Sequence, residues 1–190
     1  GFDKAFPTED DLTRSMGNVS FYYQGRIIEN IRISNTVDAY AVNGWESMKL
    51  ENHSGIVDNY RFPKGDPEVM ARYNAPLYLA VKMNRKVVST GDTTLVDTYI
   101  VNEKNLKGSY ILNLVAKDES GNVVASHKER VTVQGGNDYG QCLQSGWAFI
   151  PKSKGYTRIE ASLLKGKTEL VKGDDLLFAV ELNTKGITTR

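Results

Sequence analysis

The sequence is poor in residues that build metal and redox sites, with one cysteine and two histidines among 190 residues. A single cysteine, Cys142, excludes an intrachain disulfide and is too few for a zinc site made of cysteines. The two histidines, His53 and His127, stand far apart and match no metal-ligand spacing such as HExxH. We therefore expect no metal and no cofactor. The apolar neighbours of Cys142 predict a small, buried hydrophobic residue.

An excess of charge of one sign is also missing, because 24 lysines and arginines stand against 23 aspartates and glutamates. The resulting net charge of +1 gives no attraction to nucleic acid or to an anionic membrane surface. No apolar run approaches the roughly 18 residues that a membrane-spanning helix needs. Hydrophobic residues make up 40% of the chain, which is enough for a packed core. We expect a globular protein with neither nucleic acid nor membrane as a partner.

An amphipathic helix is predicted after Thr8. Thr8 can cap the helix, Pro7 ends any earlier element, and three acidic residues fall where the helix dipole favours them. Apolar residues then recur at spacings of three and four, which predicts one apolar face. Gly17 and Gly25 weaken this helix, and Gly17 is a candidate break point. The predicted apolar face consists of Leu12, Met16, Val19, Tyr23, Ile27 and Ile31.

Residues 37–42 (VDAYAV) are mostly apolar and lack alternation, which fits a strand buried on both faces of a parallel sheet. One helix and one such strand are half of an α/β unit and cannot form a sheet alone. A long polar loop follows. Asp66, Pro67 and Glu68 then predict a short second helix, from Pro67 to about Tyr73.

From Leu77 onward, apolar and polar residues alternate in seven or eight short segments. Turn signals separate the segments at 89–92, 118–122, 134–138, 152–155 and 171–175. This spacing predicts an antiparallel β-sandwich and a mainly β fold. The stretches KVVSTGDTTLVDTYIVN and ELVKGDDLLFAVELN share a Gly-Asp signal, and we interpret them as two similar hairpins.

Trp45 is the strongest candidate for a binding residue. It closely follows the predicted buried strand and has Asn43 and Glu46 beside it. If that strand belongs to a β/α barrel, its carboxyl end faces the active site. An indole ring there can stack on the apolar face of a sugar. The alternative is a tryptophan that covers the edge of the core.

The pair Asn102-Glu103 ends a predicted strand, as does the acid/base residue of many retaining glycosidases. That chemistry needs a second carboxylate at about 5 Å. A turn sequence follows Glu103, so we interpret the pair as structural.

Most of the chain, and residues 38–117 above all, resembles the junction between two domains in bacterial glycoside hydrolases of family 2, the β-galactosidase and β-glucuronidase group. In that family, a catalytic (β/α)-barrel of eight units precedes immunoglobulin-like β-sandwich domains. The resemblance implies that residues 1–76 are the truncated end of a barrel domain and that residues 77–190 are an immunoglobulin-like β-sandwich. The matching pieces are AYAVNGW, GIVDNYR, GDPE, PLYLAV and VDTYIVNEKNLKGSYILNL.

The resemblance also implies a function for the chain as part of a larger enzyme. Both catalytic glutamates of the family would precede residue 1, so no catalytic residue is expected here and the chain alone should be inactive. Trp45 matches the tryptophan that lines the sugar subsite, with Asn43 and Glu46 as substrate-binding neighbours. The sandwich would brace the barrel.

The expected partners are the rest of the barrel domain and its carbohydrate substrate. A chain that starts at Gly1 fits removal of a secretion signal as well as a residue left by a tag, and the expected location is periplasmic or secreted. Without its barrel, the helical face would pack on the sandwich, pair with a second copy or stay exposed.

Two other functions remain open. The sandwich could be a carbohydrate-binding module, with Trp147, Tyr139 and Tyr156 as stacking residues. It could also be a scaffold or adhesion domain with no role in sugar binding.

Overall fold

The structure, a computed structural model, describes residues 1–42, 44–46 and 55–181. The chain divides into two compact units, which meet in sequence between Ala75 and Pro76. The fold is mainly β with a small helical N-terminal part. The first unit contains the helices α1 (Phe2–Ala5), α2 (Glu9–Ser34) and α3 (Pro67–Tyr73). The second contains the strands β1 (Leu77–Met83), β2 (Val87–Ser89), β3 (Thr94–Asn102), β4 (Gly108–Asp118), β5 (Val123–Val133), β6 (Gly140–Phe149), β7 (Gly155–Lys165) and β8 (Thr168–Val180).

Helix α2 begins where its capping residues predict. The Thr8 hydroxyl accepts a hydrogen bond from the backbone N–H of Asp11, and the Asp11 carboxylate accepts one from the N–H of Thr8, both at 3.1 Å. This reciprocal pair is a capping box. The helix ends at Asn35, which has a left-handed φ of 54°. The helix is continuous through Gly17, so the candidate break there does not occur.

Two glycines decide which face of α2 is buried. A Cβ on Gly17 would lie 1.8 Å from the carbonyl oxygen of Lys64, and a Cβ on Gly25 would lie 2.0 Å from the Tyr73 ring. The helix therefore packs through a glycine-containing face, and the predicted apolar face is not the buried one. The buried residues are Gly17, Phe21, Gly25, Arg26, Ile28, Glu29 and Arg32, whereas Met16, Val19, Tyr23 and Ile27 are exposed.

Residues 37–42 do not form the predicted buried strand. They adopt no strand conformation, and Val37, Tyr40 and Val42 are exposed. A strand covered on both faces needs neighbouring strands to complete its hydrogen bonds. In the described part of the first unit, the only β-type pairs are isolated bridges that join Val57 to Glu46 and to Pro63.

The second unit is a two-sheet sandwich, as the alternation predicts. One sheet has the strand order β1-β3-β6 and the other β2-β8-β7-β4-β5. All pairs are antiparallel except β2 with β8. Alternate residues of both sheets fill the space between them, as expected for a pleated strand with one buried face. The fully buried residues include Leu79, Val81, Val96, Ile100, Leu112, Leu114, Ile159, Leu163 and Leu177.

The two Gly-Asp stretches are not hairpins. The segment around Gly91 leads from β2 in one sheet to β3 in the other. Gly173 lies inside β8, so the turn predicted at 171–175 is wrong. A Cβ on Gly173 would lie 1.8 Å from the carbonyl oxygen of Leu79. This glycine marks a close approach between backbones of the two sheets, which is a known use of glycine within a strand.

Cys142 is exposed, so the prediction of a buried hydrophobic residue is wrong. It pairs with Tyr99 of β3, and the neighbouring residue Ile100 is fully buried. Because side chains alternate between the faces of a sheet, this register places Cys142 on the outer face.

Two buried threonines of β3 give a matched test of the sandwich core. The Thr98 hydroxyl is fully buried and has no hydrogen-bond partner among the described residues. The Thr94 hydroxyl is equally buried and lies 2.9 Å from both Asn84 Oδ1 and the carbonyl oxygen of Arg85. We expect Thr98→Val to raise the free energy of unfolding by about 1 kcal/mol and Thr94→Val to lower it by a similar amount. Urea unfolding measures both, and equal effects of the same sign would contradict the assignment.

A second prediction concerns α2. Alanine normally stabilises a helix by about 0.5–1 kcal/mol relative to glycine. Gly17→Ala should instead destabilise the first unit, because the new methyl group would collide with the Lys64 carbonyl. The control, Val19→Ala, changes an exposed residue of the same helix and should leave stability unchanged or slightly higher. Hydrogen exchange of the α2 amides measures both effects.

Candidate functional site

The backbone of Trp45 is held by a small bridged structure in the first unit. Its carbonyl oxygen accepts hydrogen bonds from the backbone N–H groups of Ile56 at 2.9 Å and Val57 at 3.1 Å. Val57 then bridges to Pro63, and the N–H of Lys64 donates to the carbonyl oxygen of Ile56 at 3.1 Å. Trp45 is therefore anchored through its main chain to the segment that contacts α2.

A tight turn follows this bridge. One oxygen of Asp58 accepts hydrogen bonds from the N–H groups of Tyr60 at 2.8 Å and Phe62 at 2.9 Å. The main chain closes the turn, because the N–H of Asp58 donates to the carbonyl oxygen of Phe62 at 2.9 Å. Arg61 has a left-handed φ of 68°, an uncommon conformation for a residue with a side chain. The Asp58 carboxylate thus holds the turn in one shape.

Three exposed aromatic side chains belong to this part of the first unit. Trp45 is 66% exposed, Tyr60 76% and Phe62 68%. An exposed ring on a fixed backbone can stack on the apolar face of a sugar at little cost in conformational entropy. Tyr60 and Phe62 have no distinctive motif in the sequence, although the aspartate that begins their turn is a usable signal.

The structure places Glu46 but not Asn43 of the predicted site. Asn43 lies outside the described residues. The Glu46 carboxylate lies 3.6 Å from the Arg61 guanidinium, and both side chains are well exposed. An exposed ion pair of this kind is worth at most about 1 kcal/mol. Glu46 therefore links the Trp45 backbone to the Asp58 turn, and its carboxylate stays accessible to water and to a hydroxylated ligand.

Lys64 is the most buried charged residue in this loop, with 5% of its surface exposed. Burial lowers the pKa of its amine, and the negative charge of Asp58 opposes that shift. Burial also raises the pKa of the Tyr73 hydroxyl, against the opposing charge of Arg72. At the end of α3, the Arg32 guanidinium donates hydrogen bonds to the carbonyl oxygens of Tyr73 and Ala75.

In the Asn102-Glu103 pair, the Asn102 side chain stabilises the adjoining turn. Asn102 is buried, and its side chain donates to the carbonyl oxygen of Leu106 and accepts from the N–H of Leu106, both at 2.8 Å. The amide therefore closes the turn that follows β3.

No group of three or more metal-ligating side chains occurs in the ranges 1–42, 44–46 and 55–181. His53 lies outside those ranges. Within them, no helix is long and apolar enough to cross a membrane.

The three aromatic residues considered for a binding module differ in exposure. Trp147 is partly buried and packs between the His127 ring, at 6.1 Å between centroids, and the Phe149 ring, at 6.0 Å. Tyr139 and Tyr156 are exposed. Tyr156 lies 4.7 Å from the Phe178 ring. Trp147 thus serves the edge of the core, and the two tyrosines remain available for contact with a ligand.

Comparison with known proteins gives likenesses only to solved structures. No protein-family model and no curated protein matches the chain. A family 2 glycosyl hydrolase from Bacteroides cellulosilyticus is 16% identical over 54% of this chain and 15% of its own, with a TM-score of 0.43. A β-glucuronidase from Bacteroides uniformis is 15% identical over 53% of this chain and 13% of its own, with a TM-score of 0.41. The chain therefore spans only a small part of these enzymes.

A single domain of another protein is similar to this chain to about the same extent as these enzymes. The CARDB domain of a Pyrococcus furiosus protein, solved in complex with di-metal ions, is 14% identical over 55% of this chain and 87% of its own, with a TM-score of 0.37. Likenesses this weak concern overall shape and say nothing of substrate or activity.

The chain's two tryptophans allow the exposure of Trp45 to be measured. In a Trp147→Phe variant, all tryptophan fluorescence comes from Trp45. Because the Trp45 ring is exposed, we expect its emission maximum to be that of a tryptophan in contact with water. We also expect acrylamide to quench this emission efficiently. In the matched Trp45→Phe variant, the partly buried Trp147 should emit at a shorter wavelength and be quenched less. A shielded fluorophore in the first variant would contradict the geometry of the loop.

Proposed function

We propose that this chain is a non-catalytic C-terminal part of a family 2-like glycosidase that acts on β-linked sugars, with the sandwich in a bracing role. The remainder of a catalytic barrel would be its main partner, and the carbohydrate substrate would contact Trp45. Asn43 and Glu46 would flank the sugar. The protein would act in the periplasm or outside the cell.

The exposed apolar face of α2 is the observation that carries this proposal. Met16, Val19, Tyr23 and Ile27 all point away from the residues that the helix buries. The charged residues Arg26 and Glu29 form an ion pair at 3.1 Å on the buried side, so they do not interrupt the apolar face. A contiguous apolar surface on a folded protein usually marks a contact with another surface.

The segment 37–42 supports the same proposal. Its sequence is that of a strand buried on both faces, but Val37 and Val42 are exposed. Neighbouring strands of a barrel would supply both the missing hydrogen bonds and the missing cover. In such a barrel, α2 would pack against the outside of the sheet through its apolar face. A homo-oligomer formed through this face is the alternative occupant.

Tyr156 keeps one second function under consideration. Its ring is 54% exposed and rests against Phe178, so it could act as a stacking platform of a carbohydrate-binding module. Titration of the chain with neutral and acidic oligosaccharides, compared with a Tyr156→Ala variant, tests this candidate. No observation specifically favours the scaffold or adhesion function.

The proposal predicts that the purified chain does not hydrolyse aryl β-galactosides or aryl β-glucuronides above the uncatalysed rate. In the protein that contains the whole barrel, Trp45→Ala should lower kcat/KM by about 10-fold, as expected for a lost aromatic contact of about 1.4 kcal/mol. The matched control, Trp147→Phe, lies in the second unit and should leave kcat/KM unchanged.

Hydrolysis by the chain alone would contradict the proposal, because the catalytic carboxylates would then lie within the chain. The coding DNA upstream of Gly1 gives an independent test. A reading frame that opens with a signal peptide directly before Phe2 would leave no barrel for the chain to complete. Several hundred additional codons, with an Asn-Glu pair and a later glutamate, would support the proposal.

A further inference from the structure

The first unit contains a cleft between the first half of α2 and the loop that leads to α3. Its volume is about 690 Å³. That size lies within the range of sites that hold small molecules. Trp45 and Glu46 are not part of its lining, whereas Asp58, Phe62 and Lys64 of the loop described above are. The lining residues that matter here are Asp10, Thr13, Arg14, Asn18, Asp58 and Phe62, with Lys64 and Asp66.

Hydrogen bonds fix the walls of the cleft. The side-chain oxygen of Asn18 accepts a hydrogen bond from the backbone N–H of Asp66 at 2.7 Å, which joins α2 to the loop. One oxygen of Asp66 caps α3 by accepting from the N–H of Glu68 at 3.0 Å. On the loop, one oxygen of Asp58 holds the turn that carries Phe62. A ligand would therefore meet a preformed surface, which lowers the entropic cost of binding.

The charges of the cleft are mixed. Three acidic residues, Asp10, Asp58 and Asp66, share the lining with the basic residues Arg14 and Lys64. These opposite charges largely offset one another, so the cleft as a whole has no strong preference for an anion or a cation. Within the described part of the chain, the side chains of Asp10 and Arg14 form no hydrogen bond or ion pair. A neutral ligand with several hydroxyl groups can donate to the carboxylates and accept from the guanidinium.

Phe62 adds an apolar surface to these polar groups. Its ring is exposed at the cleft, beside Pro63. A flat apolar ring beside hydrogen-bonding side chains matches a ligand with an apolar C–H face and an edge of hydroxyl groups. We propose that this cleft binds a neutral, polyhydroxylated ligand of the mono- or oligosaccharide class. The proposal does not depend on the glycosidase function, because it rests on the cleft's own charges and on the Phe62 ring and needs neither Trp45 nor a barrel.

The test is a titration of the isotope-labelled chain, followed by NMR, with neutral sugars, with glucuronate as the anionic counterpart and with glucosamine as the cationic counterpart. We expect neutral sugars to shift the amide signals of Asn18, Gly65 and Asp66. Arg14→Met and Asp10→Asn should each weaken that binding by about 5- to 10-fold, as expected for loss of a partly exposed hydrogen bond to a charged group. The matched control, Arg130→Met, changes an exposed arginine in the second unit and should have no effect.

Each remaining outcome overturns the proposal. These outcomes are the absence of shifts near the cleft with any neutral sugar, tighter binding of glucuronate or glucosamine, and equal binding by the Arg14→Met variant. Shifts confined to residues around Trp45 would place the sugar at the other site and would leave the proposed function intact. Because Arg14 and Asp10 are exposed, both variants should fold, and circular dichroism confirms this before titration.

Discussion

The contact between Gly17 of α2 and the carbonyl oxygen of Lys64 is the constraint on which the first unit depends. A backbone can approach a helix so closely only where the helix has no side chain. This contact fixes the loop from Ile56 to Asp66 against α2. The same loop anchors the Trp45 backbone and forms one wall of the cleft. Both candidate sites of this unit therefore depend on the close packing that Gly17 allows.

The sandwich also contains a glycine that lets another backbone approach closely. Gly173 interrupts a strand of otherwise ordinary composition and lets the backbone of β8 approach Leu79 in the other sheet. Glycine within a helix or a strand normally weakens that element, because it restricts the unfolded chain least and packs no side chain. At both positions, the close approach of another backbone explains why a glycine is present.

The two faces of α2 have different chemistry and serve different purposes. The inner face combines glycines, Phe21 and the Arg26–Glu29 ion pair, and it packs within the unit. The outer face is more uniformly apolar, although it is exposed. This distribution is typical of a helix that holds its own loop on one side and meets a second surface on the other. The exposed outer face is the surface that the proposed barrel partner would cover.

The sequence alone determined the elements whose signals are local. Alternation located the strands of the sandwich, and the capping residues Thr8 and Asp66 marked where α2 and α3 begin. Only the tertiary structure decided which face of α2 is buried, that Gly173 lies within a strand and that residues 37–42 form none. It also brought Phe62 into one cleft with Arg14 and Asp10, which lie more than forty residues earlier in the chain. Periodicity reports which residues share a face, whereas burial depends on partners that are distant in sequence.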